Sequence, residues 1–428
     1  MKFIKKFIGE DKQLIKDNFI LFSTTMVLHL LGFLFHFYVS RKLGPIDYGI
    51  FGSLLSVIYL FTVPLNTIQT AISKFVANFK VENNYRKINF LLRASLKKLA
   101  VYGVIGTVIF IALSPFVSKF LNTSITPLIV LSFFILFALL LPINRGTMQG
   151  LQKFKPLGFN LALEGIVKLF GGILLVSIGW GVSGAIGAFV LAYIIPFAFG
   201  FYPIKSIFKE RKESFNTKNV YKYSIPVVIM LLSLTAFYSL DVILVRHFLD
   251  PLQVGFYAAL SLIGKVLFFG SFSIVQVMFP KVAELYAMNK PHKKILYKSL
   301  IFVSIFCMVS LLMFYLFPNF FVNLFFGKDY LEVSKYLVLF SVFITFLSLN
   351  FTLSFYNVSL NRYKFIYLLI VFNILQIALL SIFHSSIMQV IYILLFLMVV
   401  LFVILLLITR FSNETVYNNP SKERREEN

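Results

Sequence analysis

Four ionisable side chains lie within long apolar stretches of this sequence: Glu164, Lys168, Lys265 and, toward the end of its stretch, Asp241. Placing an unpaired charge at the centre of a membrane-spanning helix costs roughly 3 kcal/mol or more, so such residues face protein or a polar path rather than lipid. A lysine in that setting is suited to bind an anion such as a phosphate. A carboxylate is suited to bind a proton or a cation. These positions are therefore the first candidates for chemistry.

Each of the two lysines has a functional and a structural interpretation. Lys265, in YAALSLIGKVLFFGSF, is either a phosphate contact or the structural partner of Asp241 or of another helix. Glu164 and Lys168 are four residues apart, so on a helix they share one face and can pair. Alternatively that face lines a cleft, where Lys168 contacts phosphate and Glu164 takes up a proton.

Asp241 and three basic residues near the ends of apolar stretches complete the candidate set. Asp241 is a candidate for cation or proton coupling, or else a packed, hydrogen-bonded acid near the membrane interface. Arg246 follows five residues later, which makes a same-face pair imperfect. Arg145, Lys74 and Arg41 are candidate substrate contacts at the mouths of a cleft, and each is equally well explained as a charge that anchors the ends of a span.

The sequence lacks the usual signatures of metal, nucleotide and disulfide chemistry. It has no HExxH, no paired CxxC, no DxD and no GxxxxGK[ST] motif. Its one cysteine, Cys307, is predicted to be a packed, inert thiol. His29 and His36 share one face of an apolar stretch, where they either line a path or bond to other helices. We therefore predict no metal and no cofactor.

The composition indicates that these residues are positioned by membrane-spanning helices. Hydrophobic residues make up 59% of the 428 residues and charged residues only 13%, with a mean hydropathy of +0.87. That balance excludes a soluble enzyme, a disulfide scaffold and a disordered regulator. We predict an all-α polytopic membrane protein with about twelve spans, near residues 18–40, 49–73, 99–117, 126–144, 156–178, 182–204, 223–245, 254–280, 299–322, 336–359, 363–383 and 387–409.

The basic residues predict the orientation of these spans. With the N-terminus inside, 32 Lys and Arg residues fall on the cytoplasmic side and six on the outer side, while Lys168 and Lys265 lie within spans. This asymmetry is typical of the positive-inside rule. We therefore predict that both termini are cytoplasmic. The net charge of +23 then reflects orientation and attraction to anionic headgroups, with no nucleic-acid partner.

A weak internal repeat divides the spans into two sets of six. LGPIDYGIF at 43–51 matches LDPLQVGFY at 249–257, and LQKFK at 151–155 matches LNRYK at 360–364. An even number of spans per repeat predicts parallel repeats that enclose a cleft, as in transporters. The predicted segments are a cytoplasmic amphipathic N-terminus, an N-terminal lobe, a basic cytoplasmic linker, a C-terminal lobe and a polar cytoplasmic tail, at 1–17, 18–204, 205–222, 223–409 and 410–428.

Several of these segments resemble one known family. LGPIDYGIF, RGTMQGLQKFKPLGFNLALEGIVKLFGG at 145–172, LDPLQVGFYAAL and VMFPKVAELY look like the polysaccharide-biosynthesis flippases, whose superfamily also contains the MATE exporters and the lipid II flippases. The resemblance implies a MATE-like, V-shaped pair of six-helix bundles that works by alternating access. It also implies a polyprenyl-(di)phosphate-linked oligosaccharide as cargo, with membrane lipids, glycan-assembly enzymes and a coupling cation or proton as partners.

Two other functions compete with a flippase in the cell membrane. A cation-coupled exporter of drugs or small solutes would need a cleft rich in acids, whereas the spans offer two acids and two lysines at depth. A membrane glycan polymerase or glycosyltransferase usually needs a large outer loop, and the longest predicted outer segment is only 323–335. We therefore predict a transporter of an anionic cargo and not an enzyme.

Overall fold

The computed structural model describes residues 2–215 and 224–411, and every regular element within these ranges is helical. Apolar sequences of this length fold as helices because a helix satisfies all of its backbone hydrogen bonds internally. The α-helices, numbered α1 to α13 in chain order, are Lys2–Val81, Tyr85–Phe120, Ile125–Gly150, Phe154–Leu175, Gly181–Phe199, Ser224–Phe237, Leu240–Phe248, Pro251–Ala287, Lys293–Leu316, Pro318–Phe325, Ser334–Ser359, Phe365–Ile382 and Ile387–Phe411.

The first two predicted spans are the two arms of α1. Gly44 interrupts this helix with φ 71° and ψ 174°, a conformation that glycine adopts readily and that is followed here by Pro45. The sequence prediction of a turn between 40 and 49 is therefore correct in position, although the chain stays helical up to the break. The side chains of the predicted amphipathic segment 1–17 lie outside the described residues.

The fifth and sixth predicted spans are likewise continuous. A short π-helical segment, Val176–Trp180, joins α4 to α5, and Gly179 and Gly181 have positive φ values of 93° and 49°. These two glycines turn the chain without a loop, at the place where the hydrophobic pattern predicts the boundary. The stretch Phe154–Ile204 thus contains two spans.

The seventh predicted span, 223–245, is not one continuous helix. It is divided into α6 and α7, which meet at an angle of 40° across Tyr238 and Ser239. This break has no proline or glycine, so the sequence offered no breaker signal for it. Counting this bent pair as one span, the described ranges hold ten apolar stretches, and two of those contain two spans each, which agrees with the prediction of twelve.

Contacts divide the chain into two compact units. The first comprises the residues up to Thr235 together with Asp250–Gly255, and the second comprises Ala236–Leu249 and the residues from Phe256 onward. In the first unit α1 packs against α3 and α4, and α3 packs against α2 and α5. In the second unit α11 packs against α9 and α13, and α12 packs against α13 and α7.

Large apolar side chains cover the outer faces of several helices. Phe116 on α2, Met308 on α9 and Tyr367 on α12 are 74%, 68% and 75% exposed. A soluble protein rarely exposes so much contiguous apolar surface. These faces are suited to contact lipid, so the fold is that of a multi-pass membrane protein.

The two segments that form the sequence repeat contact each other within the first unit. A methyl group added at Gly49 would lie 2.8 Å from the backbone nitrogen of Gly255, and one added at Gly255 would meet the backbone of Pro45. Gly49 and Gly255 are equivalent positions of the repeat. Each glycine therefore allows a close backbone approach to the segment that matches its own.

The first part of the predicted linker 205–222 folds onto the first unit. Ile204 and Ile207 are buried against the ends of α1 and α2, and the side chain of Asn89 donates to the backbone oxygen of Glu210 at 2.5 Å. The side chain of Arg93 also donates to the backbone oxygen of Phe208 at 3.1 Å. Residues 216–222 of the linker and 412–428 of the tail lie outside the described residues.

Candidate functional site

The charged site of the first unit is built on a buried ion pair between α3 and α4. Arg145 Nη1 lies 2.8 Å from Glu164 Oε2, and the two side chains are only 9% and 12% exposed. Arg145 Nε also donates to Asn160 Oδ1 at 2.8 Å, and Asn160 Nδ2 donates to the backbone oxygen of Pro196 at 2.7 Å. The pair thus belongs to a polar network that joins α3, α4 and α5.

Arg145 lies in a different environment from the two that the sequence suggests for it. The sequence suggests a mouth residue or an anchoring charge, whereas the guanidinium is buried and neutralised by Glu164. The reason is that Arg145 lies one turn inside the end of α3, where it faces the α4 stretch that carries Asn160 and Glu164. A buried charge pair of this kind is costly to break from one side.

Lys168 lies beside this ion pair. Its Nζ atom is 5.2 Å from the centre of the Phe189 ring, and a methyl group added at Gly32 would lie 3.5 Å from the same atom. Glu164 remains within electrostatic range of Lys168, but its ion pair is with Arg145. Lys168 therefore adds a positive charge to a site whose one carboxylate is already matched.

His29 and His36 occupy different surroundings although they share a face of α1. His29 lies within electrostatic range of Lys168 and Glu164, so it belongs to the charged site. His36 Nδ1 lies 3.1 Å from the hydroxyl of Tyr48 and its ring packs near Phe51. His36 therefore bonds across the two arms of α1, whereas His29 lies near the charged residues Lys168 and Glu164.

The second unit has its own buried acid. The carboxylate of Asp241, at the start of α7, is fully buried and accepts hydrogen bonds from the hydroxyl of Tyr257 and from the backbone N–H of Val242, both at 2.8 Å. Lys265 on α8 is 5% exposed and lies within electrostatic range of Asp241. The structural partner that the sequence suggests for Lys265 is therefore nearby.

Aromatic side chains surround the ammonium of Lys265. Its Nζ atom lies 5.7 Å from the centre of the Tyr238 ring, close enough for a cation–π contact. Tyr238 in turn packs against Phe268, with ring centres 5.3 Å apart. Lys265 thus faces protein and not lipid, as the insertion cost predicts.

Buried polar atoms lie at the break between α6 and α7, which precedes Asp241 by two residues. The backbone oxygen of Phe237 accepts a hydrogen bond from Gln376 Nε2 on α12 at 3.2 Å. Within the described residues, Gln376 Oε1 and Ser239 Oγ are buried without a hydrogen-bond partner. Buried oxygens without donors are suited to accept a proton-bearing group or to coordinate a cation.

Lys74 and Arg41 are exposed, unlike the residues of the two clusters. Both are exposed on α1, and the guanidinium of Arg41 donates to the backbone oxygen of Phe37 at 3.0 Å and stacks 3.7 Å from its ring centre. The structure therefore groups Glu164, Lys168 and Arg145 in one cluster and Asp241 and Lys265 in another. Lys74 and Arg41 stay outside these clusters.

Sequence reasoning missed several polar residues of the two sites. Asn160, Ser239, Tyr257 and Gln376 supply hydrogen bonds or unsatisfied oxygens there. Gln376 was detectable, because it and Asn373 are the two amides within the otherwise apolar run LLIVFNILQIALL. Tyr257 carried no such signal among 21 tyrosines.

The described residues contain no group of three or more His, Cys, Asp or Glu side chains that could hold a metal ion. Cys307 is buried, as its apolar neighbours predict.

The fold is similar to that of solved transporters of the MOP superfamily. A multidrug resistance MATE family transporter in an inward-facing conformation matches with a TM-score of 0.71 at 14% identity, over 92% of this chain and 99% of that chain. A MOP superfamily transporter from Pyrococcus furiosus, whose binding pocket is described as having reverse polarity, matches with a TM-score of 0.67 at 13% identity, over 93% and 96% of the two chains. The chain is thus a multi-pass membrane protein with the fold of these transporters.

The sequence assigns it to one family within that class. The profile of the polysaccharide biosynthesis protein family matches residues 38–335, and the chain belongs to this family. It is 23% identical over 293 residues to an uncharacterized membrane protein of Methanocaldococcus jannaschii, covering 63% of this chain and 68% of that one. It is 26% identical over 159 residues to stage V sporulation protein B of Bacillus subtilis, covering 36% and 31% of the two chains.

Proposed function

We propose that this protein carries polyprenyl-(di)phosphate-linked oligosaccharides from the cytoplasmic to the outer leaflet by alternating access. The observation that carries the proposal is the sign of the charge buried within the helices. In each unit the acid has a basic neighbour, and in the two described clusters three bases, Arg145, Lys168 and Lys265, outnumber two acids, Glu164 and Asp241. An anionic cargo complements that surplus.

The physical reason is the desolvation of phosphate. A phosphate or diphosphate loses most of its hydration when it crosses the hydrocarbon region, and an ammonium in a low-dielectric setting replaces that water with a strong electrostatic contact. Lys168 and Lys265 are the two ammonium groups at span depth in the sequence. We infer that both contact the anionic head of the cargo during transport.

Membership in the polysaccharide biosynthesis protein family supports a glycan-bearing cargo. The reversed pocket polarity described for the Pyrococcus furiosus transporter supports the idea that this fold accommodates cargoes of different charge. A cation-coupled drug exporter fits less well. Cationic drugs are attracted by unmatched carboxylates, whereas Glu164 is paired with Arg145 and Asp241 lies near Lys265.

Transport of a fluorescent polyprenyl-diphosphate-linked oligosaccharide in proteoliposomes tests the proposal. Accessibility of the sugar to a membrane-impermeant reagent measures its appearance in the second leaflet. We expect Lys168→Gln and Lys265→Gln to slow this step by tenfold or more, on the order of one lost charge contact. Lys119→Gln, which removes an exposed lysine at the end of α2, serves as the matched control. If both variants transport the oligosaccharide at the wild-type rate, the lysines do not contact the cargo and the proposal is wrong.

We further propose that Asp241 couples transport to a proton or a monovalent cation. Its buried carboxylate follows a helix break at which two buried oxygens, Ser239 Oγ and Gln376 Oε1, have no hydrogen-bond partner within the described ranges, and Gln376 is bonded to Phe237 at that break. Glu164 is a weaker candidate because Arg145 already compensates its charge. We regard Glu164 as a structural partner.

The coupling proposal is tested by imposing ion gradients on the same proteoliposomes. We expect wild-type transport to respond to either a proton or a sodium gradient, and Asp241→Asn to transport without that response. Tyr257→Phe removes one donor to the carboxylate while keeping the acid, so it should shift the ion concentration at half-maximal rate without abolishing the response. A gradient response that survives in Asp241→Asn would place coupling elsewhere.

Proposed orientation follows from the basic residues. The cytoplasmic ends would be those that carry the turns at 82–84 and 288–292, and the outer side would carry Lys328–Val333. This orientation leaves Lys168 and Lys265 as the two basic residues at depth.

A further inference from the structure

A groove runs between α8 and α9 next to the turn that joins them. It has a volume of about 490 Å³, and all of its lining residues belong to these two helices of the second unit. Two lysines, Lys281 on α8 and Lys298 on α9, contribute to its wall. The charged clusters of the candidate functional site do not share any residue with it.

The groove has a cationic end and an apolar interior. Lys281 and Lys298 lie six and five residues from the ends of their helices at the turn, which puts them at a similar height. On α8 the lining continues to Ser273, eight residues away, and at 1.5 Å per residue this is about 12 Å deeper. Val277, Met278 and Phe302 line the region between.

The apolar lining is open to the surroundings of the protein. Val277 is 74% exposed and Phe302 is 58% exposed, so both are suited to contact hydrocarbon. The hydroxyl of Ser273 donates to the backbone oxygen of Gly270 at 2.7 Å, so this polar group is satisfied within α8. The interior of the groove therefore presents mainly apolar surface to an occupant.

The charge around the turn is strongly positive. Residues 281–298 contain five basic residues, Lys281, Lys290, Lys293, Lys294 and Lys298, and one acid, Glu284. Glu284 lies 3.2 Å from Lys281, but both side chains are at least half exposed and such pairs are weak. A phosphate that reaches both lysines would compete with that pair.

We propose that this groove binds an anionic phospholipid of the bilayer. Its phosphodiester lies between Lys281 and Lys298, and one acyl chain lies along Val277, Met278 and Phe302. Basic pockets between spanning helices on the cytoplasmic side are suited to such headgroups, because the lysines add charge attraction to the apolar contact. The groove is separate from the residues proposed to contact the cargo. Its test measures lipid binding and not transport, so the result does not depend on the proposed flippase function.

Native mass spectrometry of the full-length protein, titrated with phosphatidylglycerol or phosphatidylcholine in detergent, tests the proposal. We expect retention of phosphatidylglycerol, and an apparent Kd about 30-fold weaker in the double variant Lys281→Gln, Lys298→Gln, from the loss of two near-surface charges. The control is Lys290→Gln, Lys294→Gln, which removes the same charge from exposed positions of the same turn outside the groove. It should weaken binding less than about threefold.

Val277→Trp provides a second test that leaves both lysines in place. The indole fills the groove, so it should displace the acyl chain and weaken phosphatidylglycerol binding. Photoactivatable phosphatidylglycerol should crosslink to peptides of α8 and α9 in the wild type. If the two double variants lose the same affinity for phosphatidylglycerol, the lipid is attracted by the overall positive charge of the turn and not bound in the groove, and the proposal is wrong. Equal binding of phosphatidylcholine, unchanged binding in Val277→Trp, or displacement of phosphatidylglycerol by polyprenyl phosphate at lower concentration would also overturn it.

Discussion

Arg145 is a buried charged side chain of the first unit with several specific contacts. It donates to Asn160 and pairs with Glu164 at 2.8 Å, with both charged side chains almost entirely shielded from the surroundings. Removing one member of such a pair leaves an uncompensated charge in a low-dielectric setting, whereas removing both leaves two neutral groups. Replacing one residue of the pair should therefore destabilise the protein more than replacing both.

We predict that Arg145→Gln lowers the free energy of unfolding by about 3–5 kcal/mol, because Glu164 is then buried without its partner. Thermal unfolding of the purified protein in detergent measures the effect as a lower melting temperature.

The double variant Arg145→Gln, Glu164→Gln should recover much of that loss. Its control is an exposed pair at the start of α11, where Lys335→Gln breaks a contact with Glu332 of the preceding short helical segment at 3.1 Å and should change stability little. If Arg145→Gln melts at the wild-type temperature, the buried pair does not stabilise the first unit.

At the scale of helices, the breaks are as informative as the spans. Gly44, Gly179 and Gly181 turn the chain at positive φ, so these breaks are encoded locally. The break between α6 and α7 is different, because Gln376 on α12 donates to the backbone oxygen of Phe237. That hydrogen bond satisfies a carbonyl freed by the bend, as the low-dielectric interior requires.

The contact between the repeat-equivalent glycines predicts a steric effect. We predict that Gly255→Ala destabilises the protein by about 1–3 kcal/mol, because the new methyl group would meet the backbone of Pro45 and force the two segments apart. Denaturant or thermal unfolding in detergent gives the magnitude.

Gly171→Ala is the matched control for that variant. At Gly171 the nearest atom to an added methyl group is 3.7 Å away, and alanine favours a helix over glycine by about 1 kcal/mol. This variant should therefore be neutral or slightly stabilising. Equal stability of the two variants would mean that the close approach at Gly255 is readily relieved.

At the scale of the whole molecule, the unequal distribution of basic residues predicts which surfaces face the cytoplasm. The natural cysteine is single and buried, so it provides a silent background for labelling. We predict that Glu82→Cys reacts with a membrane-impermeant maleimide only when the cytoplasmic face is accessible, and that Asp329→Cys reacts from the outside of intact cells.

Both substituted positions are exposed at connections between helices. Labelling therefore depends on the side of the membrane on which each cysteine lies, and not on burial in the protein. Unsubstituted protein should remain unlabelled because Cys307 is buried. Labelling of Glu82→Cys in intact cells together with protection of Asp329→Cys would invert the proposed orientation.

The sequence alone predicted the helical spans and picked out four ionisable residues within them, of which Asp241 and Lys265 are buried and Glu164 and Lys168 half-buried. Apolar runs determine helices in a membrane whatever they pack against, because each helix satisfies its own backbone. The breaks near 44 and 180 fall at predicted span boundaries, and the glycines that form them at positive φ depend on local backbone geometry. The same reasoning identified Cys307 as buried.

Tertiary structure alone decided which charges meet. Spacing along one helix favours Glu164 with Lys168, yet Arg145 reaches Glu164 from α3, because the neighbouring helix brings a planar donor to the carboxylate at 2.8 Å. Tyr257 and Gln376 likewise join Asp241 and the α6–α7 break from distant parts of the chain. Contacts of this kind depend on how helices rotate and pack against each other, which no pattern within a single helix encodes.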